Sequence, residues 1–194
     1  MSTINTIDKD TRVLLIGGSA GSLSAVLKLL PHLTRKLNLV VVMIFHRKET
    51  DDTTLIDILS HRSEFGVKDV EDKEVMEKHM IYVAPPDYHL LIEKDLSLSL
   101  DISEKVNFSR PSIDVTFESG ADALGSRVIG LLLSGANADG VTGLQKIHHM
   151  GGKVVVQNPA EADVPYMPQQ AVARVKFDLL LSEKDVDVFI SMLA

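Results

Sequence analysis

Apolar residues in this chain fall into short unbroken runs, separated by stretches in which they recur at helical spacing. Arg12 to Ile16, Leu39 to Phe45 ("LVVVMIF") and Arg127 to Leu133 ("RVIGLLL") are runs without polar alternation, the signature of strands covered on both faces. Helical spacing follows each. Ser22 to Leu30 stops at Pro31. Asp51-Asp52 opens a segment carrying Leu55, Ile56, Ile58 and Leu59, with acids where a helix dipole is positive. Ile113 to Leu124 reads as a helix capped by Ser112, and Val141 to His149 as one that ends at Gly151-Gly152. Ile81 to Ala84 is a strand halted by Pro85-Pro86. Tyr88 to Ile92 and Leu96 to Leu100 bracket "EKD" as a hairpin, and Glu71 to Lys78 reads as a charged surface connection. Lys153 to Gln157 (strand), Gln169 to Val175 (short helix), Phe177 to Leu181 (strand) and Glu183 to Leu193 (amphipathic helix) complete the chain. Alternating strands and helices predict an α/β fold. It is a doubly wound, mostly parallel sheet flanked by helices, with an antiparallel hairpin extension. No repeat, low-complexity segment or linker interrupts it. The expected organisation is a polar N-terminal tail, 1–10, and a single domain, 11–194.

Composition narrows the functions. The 194 residues suit one domain with a proper core, and 45% hydrophobic against 24% charged residues is ordinary for a globular protein. With 27 acidic and 20 basic residues the formal net charge is −7, which argues against a nucleic-acid partner or an anionic-membrane surface. Cysteine is absent, which excludes disulfides, thiol catalysis and cysteine-ligated zinc. No apolar stretch has the length of a membrane span and Met1 to Asp10 carries no apolar signal region, so a cytoplasmic protein without membrane insertion is expected.

In doubly wound sheets chemistry collects beyond the carboxyl ends of the strands. Ser19 follows the first run, His46 the second, and Asp139 the "RVIGLLL" run. Serine hydrolysis needs these three types together. An imidazole removes the hydroxyl proton, and a carboxylate fixes its tautomer and stabilises its charged form. Gly17-x-Ser19-x-Gly21 also matches a nucleophile elbow, and the helix behind it offers N–H groups to an oxyanion. The order Ser…His…Asp differs from the α/β-hydrolase order. Taken singly, Ser19 reads as a helix cap, His46 as a hydrogen-bonded structural residue and Asp139 as a turn residue. A dinucleotide site fits worse, because Gly17, Gly18 and Gly21 have the wrong spacing and His46 stands where a ribose-binding acid belongs. His89 reads equally as a turn residue, Arg110 as the partner of a carboxylate, and Met167 as packing or as a pocket wall. His61, His79, His148 and His149 read as solvated, and neither a metal nor a cofactor is expected.

These segments resemble the catalytic domain of the chemotaxis protein-glutamate methylesterases, the CheB family. "VLLIGGSAGS", "VVVMIFHR", "IYVAPPDYHLLI", "SRPSIDVTFES", "LLLSGANADGVTGL" and "GGKVVVQNPAEADVPYMPQQAV" resemble that family's motifs in order. The resemblance implies Ser19 as nucleophile, His46 as base and Asp139 as orienting acid. Ala20, Gly21, Ala136, Asn137 and Met167 become candidates for the oxyanion site and pocket. It implies hydrolysis of glutamate methyl esters on methylated chemoreceptor cytoplasmic domains, with glutamine deamidation as a second activity. Two departures stand out. Ala20 and Ser22 replace a threonine and a glycine of the family's Ser-Thr-Gly-Gly, and Ala136-Asn137 replaces its Met-Gly. No receiver domain is expected in a segment as short as 1–10, so regulation would come from a separate receiver protein or a receptor complex. A receptor-binding module of the same fold without turnover is the alternative, and a nucleotide-binding protein a more distant one.

Overall fold

The computed structural model describes residues 6–46 and 54–194. One seven-stranded sheet dominates. In chain order its strands are β1 (Arg12–Gly18), β2 (Leu39–Phe45), β3 (Gly66–Asp69), β5 (Met80–Val83), β8 (Val128–Leu132), β9 (Lys153–Gln157) and β10 (Leu179–Leu181). Their spatial order is β10-β9-β8-β1-β2-β5-β3, and every pairing is parallel. A smaller antiparallel sheet joins β4 (Glu74–Val75), β7 (Ser97–Asp101) and β6 (His89–Ile92) in that spatial order. The helices are α1 (Ser22–Leu29), α2 (Thr54–Ser60), α3 (Ile113–Leu124), α4 (Val141–His149), α5 (Tyr166–Arg174) and α6 (Val186–Leu193).

The unbroken apolar runs have a simple cause. Val13, Leu15, Val40, Val42 and Ile44 point to one side of the sheet, where Phe117 of α3 and Leu144 of α4 pack. Leu14, Ile16, Val41 and Met43 point to the other, against Val26 and Leu29 of α1 and Phe189 of α6. Successive side chains of a strand alternate between faces, and here both faces are covered.

The doubly wound sheet and its hairpin extension are as the sequence predicts, while several boundaries differ. The charged segment 71–78 is not only a surface connection: it contains β4, and Met76 is fully buried. β3 has no counterpart in the sequence reading. It is an edge strand of four half-buried or exposed residues, so it lacks an apolar run. α5 begins at Tyr166 rather than Gln169, and the last strand and helix are shorter than expected. The proposed start of the second helix at Asp51-Asp52 lies outside the described residues, and its helical part begins at Thr54.

The sheet places the chemistry. From β1 the chain moves to β2, out to the edge at β3 and back to β5 between them; it later returns on the other side of β1 as β8 and moves outward to β9 and β10. The crevice beyond β1 and β8 is therefore the topological switch point. Ser19 follows β1, His46 follows β2, and the loop to Asp139 follows β8.

Candidate active site

Both loops flanking the crevice end in a left-handed glycine that opens a helix directly. Gly21 (φ 78°) stands at the N-cap of α1, and Gly140 (φ 91°) at that of α4. Only glycine takes this backbone at little cost. A Cβ at Gly21 would also lie 2.5 Å from Asp163 Cβ. These turns bring the residues before each helix to the carboxyl edge of the sheet.

The backbone of Ser19 is firmly held. Its N–H donates to Ser134 O at 2.9 Å, and its carbonyl accepts from Ser22 Oγ at 2.7 Å. The N–H of His46 donates to the carbonyl of Gly18, the residue before Ser19, at 3.2 Å. The serine side chain is free by contrast. Among the described residues, Ser19 Oγ makes no hydrogen bond, to His46 or to any other group.

His46 Nε2 lies 2.8 Å from Asp139 Oδ2. An ionised carboxylate only accepts, so Nε2 donates this bond and Nδ1 is the ring nitrogen turned away from Asp139. Ser109 Oγ stands 3.4 Å from that Nδ1. Asp139 is fully buried and receives five further donors. Ser112 Oγ (2.9 Å), Asn107 Nδ2 (2.9 Å), Asp114 N (3.1 Å) and Gly140 N (3.1 Å) reach Oδ1, and Ile113 N (2.7 Å) reaches Oδ2. Burial alone would raise its pKa. The donors outweigh burial, His46 and Asn107 foremost, and hold the carboxyl below its usual range.

A second buried carboxylate lies behind the first. Asp114 Oδ2 accepts from the same Asn107 Nδ2 at 2.8 Å, and Oδ1 accepts from Gly143 N at 2.7 Å. Burial pushes Asp114 up to about 6, and the nearby charge of Asp139 adds to the rise against the lowering effect of these bonds. Two adjacent carboxyls thus have opposite shifts, with Asn107 between them.

The oxyanion candidates lie in the serine loop and in the loop after β8, whose Gly135 stands beside Ser19. The N–H groups of Ala20, Gly21, Ala136 and Asn137 have no acceptor among the described residues. Ala20 O accepts from the buried Ser134 Oγ at 2.7 Å, which ties the serine loop to the loop after β8. The Asn137 side chain turns back on its own loop, accepting from Asp139 N at 3.1 Å. Met167 is fully buried, and a Cβ at Gly135 would lie 2.5 Å from Met167 Cε and 3.1 Å from Ser19 Cβ. Met167 therefore packs over Gly135 beside the serine. A cavity of about 90 Å³ between α1 and α6 reaches the back of this loop at Gly21 and is not lined by Ser19.

Three sequence readings need correction. Ser112 occupies the N-cap position of α3, but its hydroxyl makes no cap bond. Asp139 caps this helix instead, taking the N–H groups of Ile113 and Asp114. His89 is not a surface turn residue but fully buried: Ser112 N donates to its Nδ1 at 3.1 Å, and its Nε2 donates to Glu104 O at 2.9 Å. His79 is half-buried rather than solvated, bonded to Leu37 O and set edge-on to Phe65 at 5.4 Å. Arg110 stands 3.9 Å from the carboxylate of Asp87, while its NH1 donates to Ile102 O and Ser103 O. Asn107 is a site residue that the sequence does not mark, and Ser109 and Asp114 enter the sequence reading only within the segment "SRPSIDVTFES", with no role assigned to either. An asparagine in a polar loop and an acid in a helix's first turn are too common to carry a signal.

Fold and site together define a doubly wound α/β protein with a serine, a histidine and an aspartate gathered at its switch point. The chain belongs to the CheB methylesterase family, whose family model matches residues 14–190. A Leptospira interrogans protein named "Putative protein-glutamate methylesterase/protein-glutamine glutaminase" is 42% identical over 180 residues, 92% of this chain and 93% of that one. A Methanosarcina mazei protein-glutamate methylesterase/protein-glutamine glutaminase is 32% identical over 87% of this chain, which spans 48% of its length. The crystal structure of the Thermotoga maritima CheB methylesterase catalytic domain superposes with a TM-score of 0.88 at 27% identity, covering 95% of this chain and 99% of that one.

Proposed function

We propose that this chain is a serine hydrolase that removes methyl groups from esterified glutamate side chains on chemoreceptor cytoplasmic domains and deamidates receptor glutamines by the same route. The observation that carries the reading is the His46–Asp139 pair. A carboxylate held ionised by its donors fixes the imidazole through Nε2 and leaves Nδ1, with Ser109 Oγ 3.4 Å away, as the nitrogen to take the serine proton.

The reaction follows from that geometry. Ser19 Oγ passes its proton to His46 Nδ1 and attacks the ester carbonyl. Asp139 stabilises the imidazolium formed. The tetrahedral oxyanion faces the N–H groups of Ala20 and Gly21 on one side and of Ala136 and Asn137 on the other. Collapse breaks the bond to the methoxy oxygen, which takes the proton from Nδ1 and leaves as methanol. Water then gives a proton to Nδ1, attacks the acyl-serine, and releases the glutamate carboxylate while Ser19 is reprotonated. With glutamine the first leaving group is ammonia. Backbone N–H groups survive at Ala20 and Ala136, so both departures from the family's motifs leave the oxyanion donors in place.

The second reading, a receptor-binding module without turnover, is favoured by the unbonded Ser19 Oγ. Catalytic hydrogen bonds are often formed only in the substrate complex, which favours the enzyme. No helix among the described residues is long and apolar enough to cross a membrane, and a cytoplasmic site of action fits the proposed substrate. The test is methanol release from methylated receptor cytoplasmic fragments by the wild type and by Ser19→Ala. The esterase reading expects release from the wild type alone. Equal, slow release from both overturns it.

A further inference from the structure

Resting on the esterase reading, we infer that the turn 106–109 is a docking element that grips an apolar strip of the protein carrying the ester, with Phe108 as its anchor. The turn is closed by Ser109 N to Val106 O (2.9 Å) and Val106 N to Ser109 O (3.2 Å). It faces two ways. Asn107 donates inward to Asp139 and Asp114, and Ser109 stands at His46 Nδ1. Phe108, between them, is 98% exposed.

Both central residues have left-handed backbone, Asn107 at φ 52° and Phe108 at φ 61°. Asparagine tolerates this region, whereas a bulky aromatic there is an outlier that a fold keeps at a cost in stability. Burying the ring in the chain's own core would recover part of that cost, yet it projects into water. Strain held at the rim of a reaction centre points to use of the displayed side chain.

The neighbourhood fits a protein surface better than a small ester. Arg110 NH1 ties down the carbonyls of Ile102 and Ser103, and Arg110 O accepts from Asp87 N. The segments held in this way carry Ile102, 71% exposed, and Tyr88, 40% exposed, and the turn itself carries the exposed Val106 and Phe108. Tyr166 is exposed, next in sequence to Met167, which packs over Gly135 beside the serine. Exposed apolar side chains therefore stand on segments bonded to the turn at the site, whose reacting groups need only one methyl ester. A protein substrate offers surface for them to grip, and a small ester does not.

Phe108→Asn is the decisive variant, because asparagine accepts the left-handed backbone and removes the ring. Hydrolysis of methylated receptor fragments, hydrolysis of p-nitrophenyl acetate and the melting temperature are measured together. A buried aromatic anchor at an interface predicts a loss of ~10-fold or more in kcat/KM on the receptor, carried mainly by KM. Small-ester turnover stays unchanged, and Tm is unchanged or higher. Phe108→Leu retains most of the receptor activity. Equal losses on both substrates would make the turn a support of the site geometry alone and overturn the docking role. Receptor turnover within twofold of wild type overturns it too, with the esterase reading intact. If the wild type releases no more methanol from the receptor than Ser19→Ala, both fall.

Discussion

The two halves of the site are built to different standards. On one side Asp139 is fully buried and collects six donors, one of them His46. On the other, Ser19 Oγ has no partner among the described residues, and the N–H groups that would meet an oxyanion are unoccupied. The first half carries a fixed charge, and burying a charge is tolerable only with full hydrogen bonding. The second half meets charge only during reaction, and groups kept free for that moment need no reorganisation when it comes. In the proposed mechanism, folding assembles the base and the substrate completes the nucleophile.

The largest effect that can break this contrast is at the open half. Ser19→Ala should lower turnover of receptor esters by on the order of 10⁴-fold or more, since loss of the nucleophile disables the triad as a unit. Among the described residues nothing bonds to that hydroxyl, so Tm should stay within a degree or two. Methanol assays and thermal melts check the two halves of the statement. A large fall in Tm would mean that Ser19 is a structural residue after all.

At the closed half activity and stability should fall together. In Asp139→Asn any orientation of the amide turns its NH₂ toward at least two donors, because Oδ2 receives His46 Nε2 and Ile113 N, and Oδ1 receives the remaining four. Unsatisfied buried groups cost about 1–3 kcal/mol each, so a loss of more than ~3 kcal/mol is expected in chemical denaturation. Turnover should drop by roughly 10⁴-fold, as the histidine loses its tautomer control. The pH dependence has a definite sign. The folded pKa of Asp139 lies below the ordinary 3.8, so its stabilisation is present above that value and fades as pH falls through the folded value. The stability gap between wild type and variant should therefore narrow under acid.

How much of this was legible depends on whether a residue's role is local. β2, α3, α4 and β9 match their sequence boundaries, because two-sided burial writes unbroken apolar runs and glycines or caps end the helices. β3 and β4 escaped because short edge pairings among charged residues leave no run. Ser19, His46 and Asp139 were legible as the polar residues just past core strands. Asp139 as cap of α3 was not, since it acts across 25 and 26 positions of sequence. Asn107 was hidden for the same reason: its partners, Asp114 and Asp139, are 7 and 32 positions away.

Asn107 provides the third test, smaller and pH-dependent. It donates to both carboxylates and lowers both pKa values. Asn107→Ala should destabilise the fold by about 1–3 kcal/mol at pH 8, where both are ionised. Asp114 already sits up at about 6, against an ordinary 3.8, and loss of the amide raises it further. A raised carboxyl pKa means that the folded state takes up a proton more readily than the unfolded state, so the penalty shrinks as pH falls through about 6. Denaturation at pH 5 and pH 8 reads this directly. A penalty of equal size at both would mean that the amide serves loop packing and not charge.

The smallest expected effect sharpens the comparison from the open side. Ala20 is exposed in the serine loop, and its own N–H has no acceptor among the described residues. The related motif carries a threonine at this position. Removing one oxyanion donor from another serine enzyme costs about 2.7–4 kcal/mol. A hydroxyl added by Ala20→Thr to a pocket not adapted to it should recover less, roughly 1 kcal/mol, or about five- to tenfold in kcat. Because the donor acts on charge present only in the transition state, KM for the receptor ester should hardly move. Stability should hardly move either, since the Ala20 side chain is exposed and the Ala20 contact to Ser134 is made by the backbone carbonyl. Steady-state kinetics on methylated receptor fragments decide it. A gain in kcat at constant KM places residue 20 at the oxyanion. A change in KM alone would place it at the substrate surface, and the open half of the site would then extend further along α1 than its free N–H groups indicate.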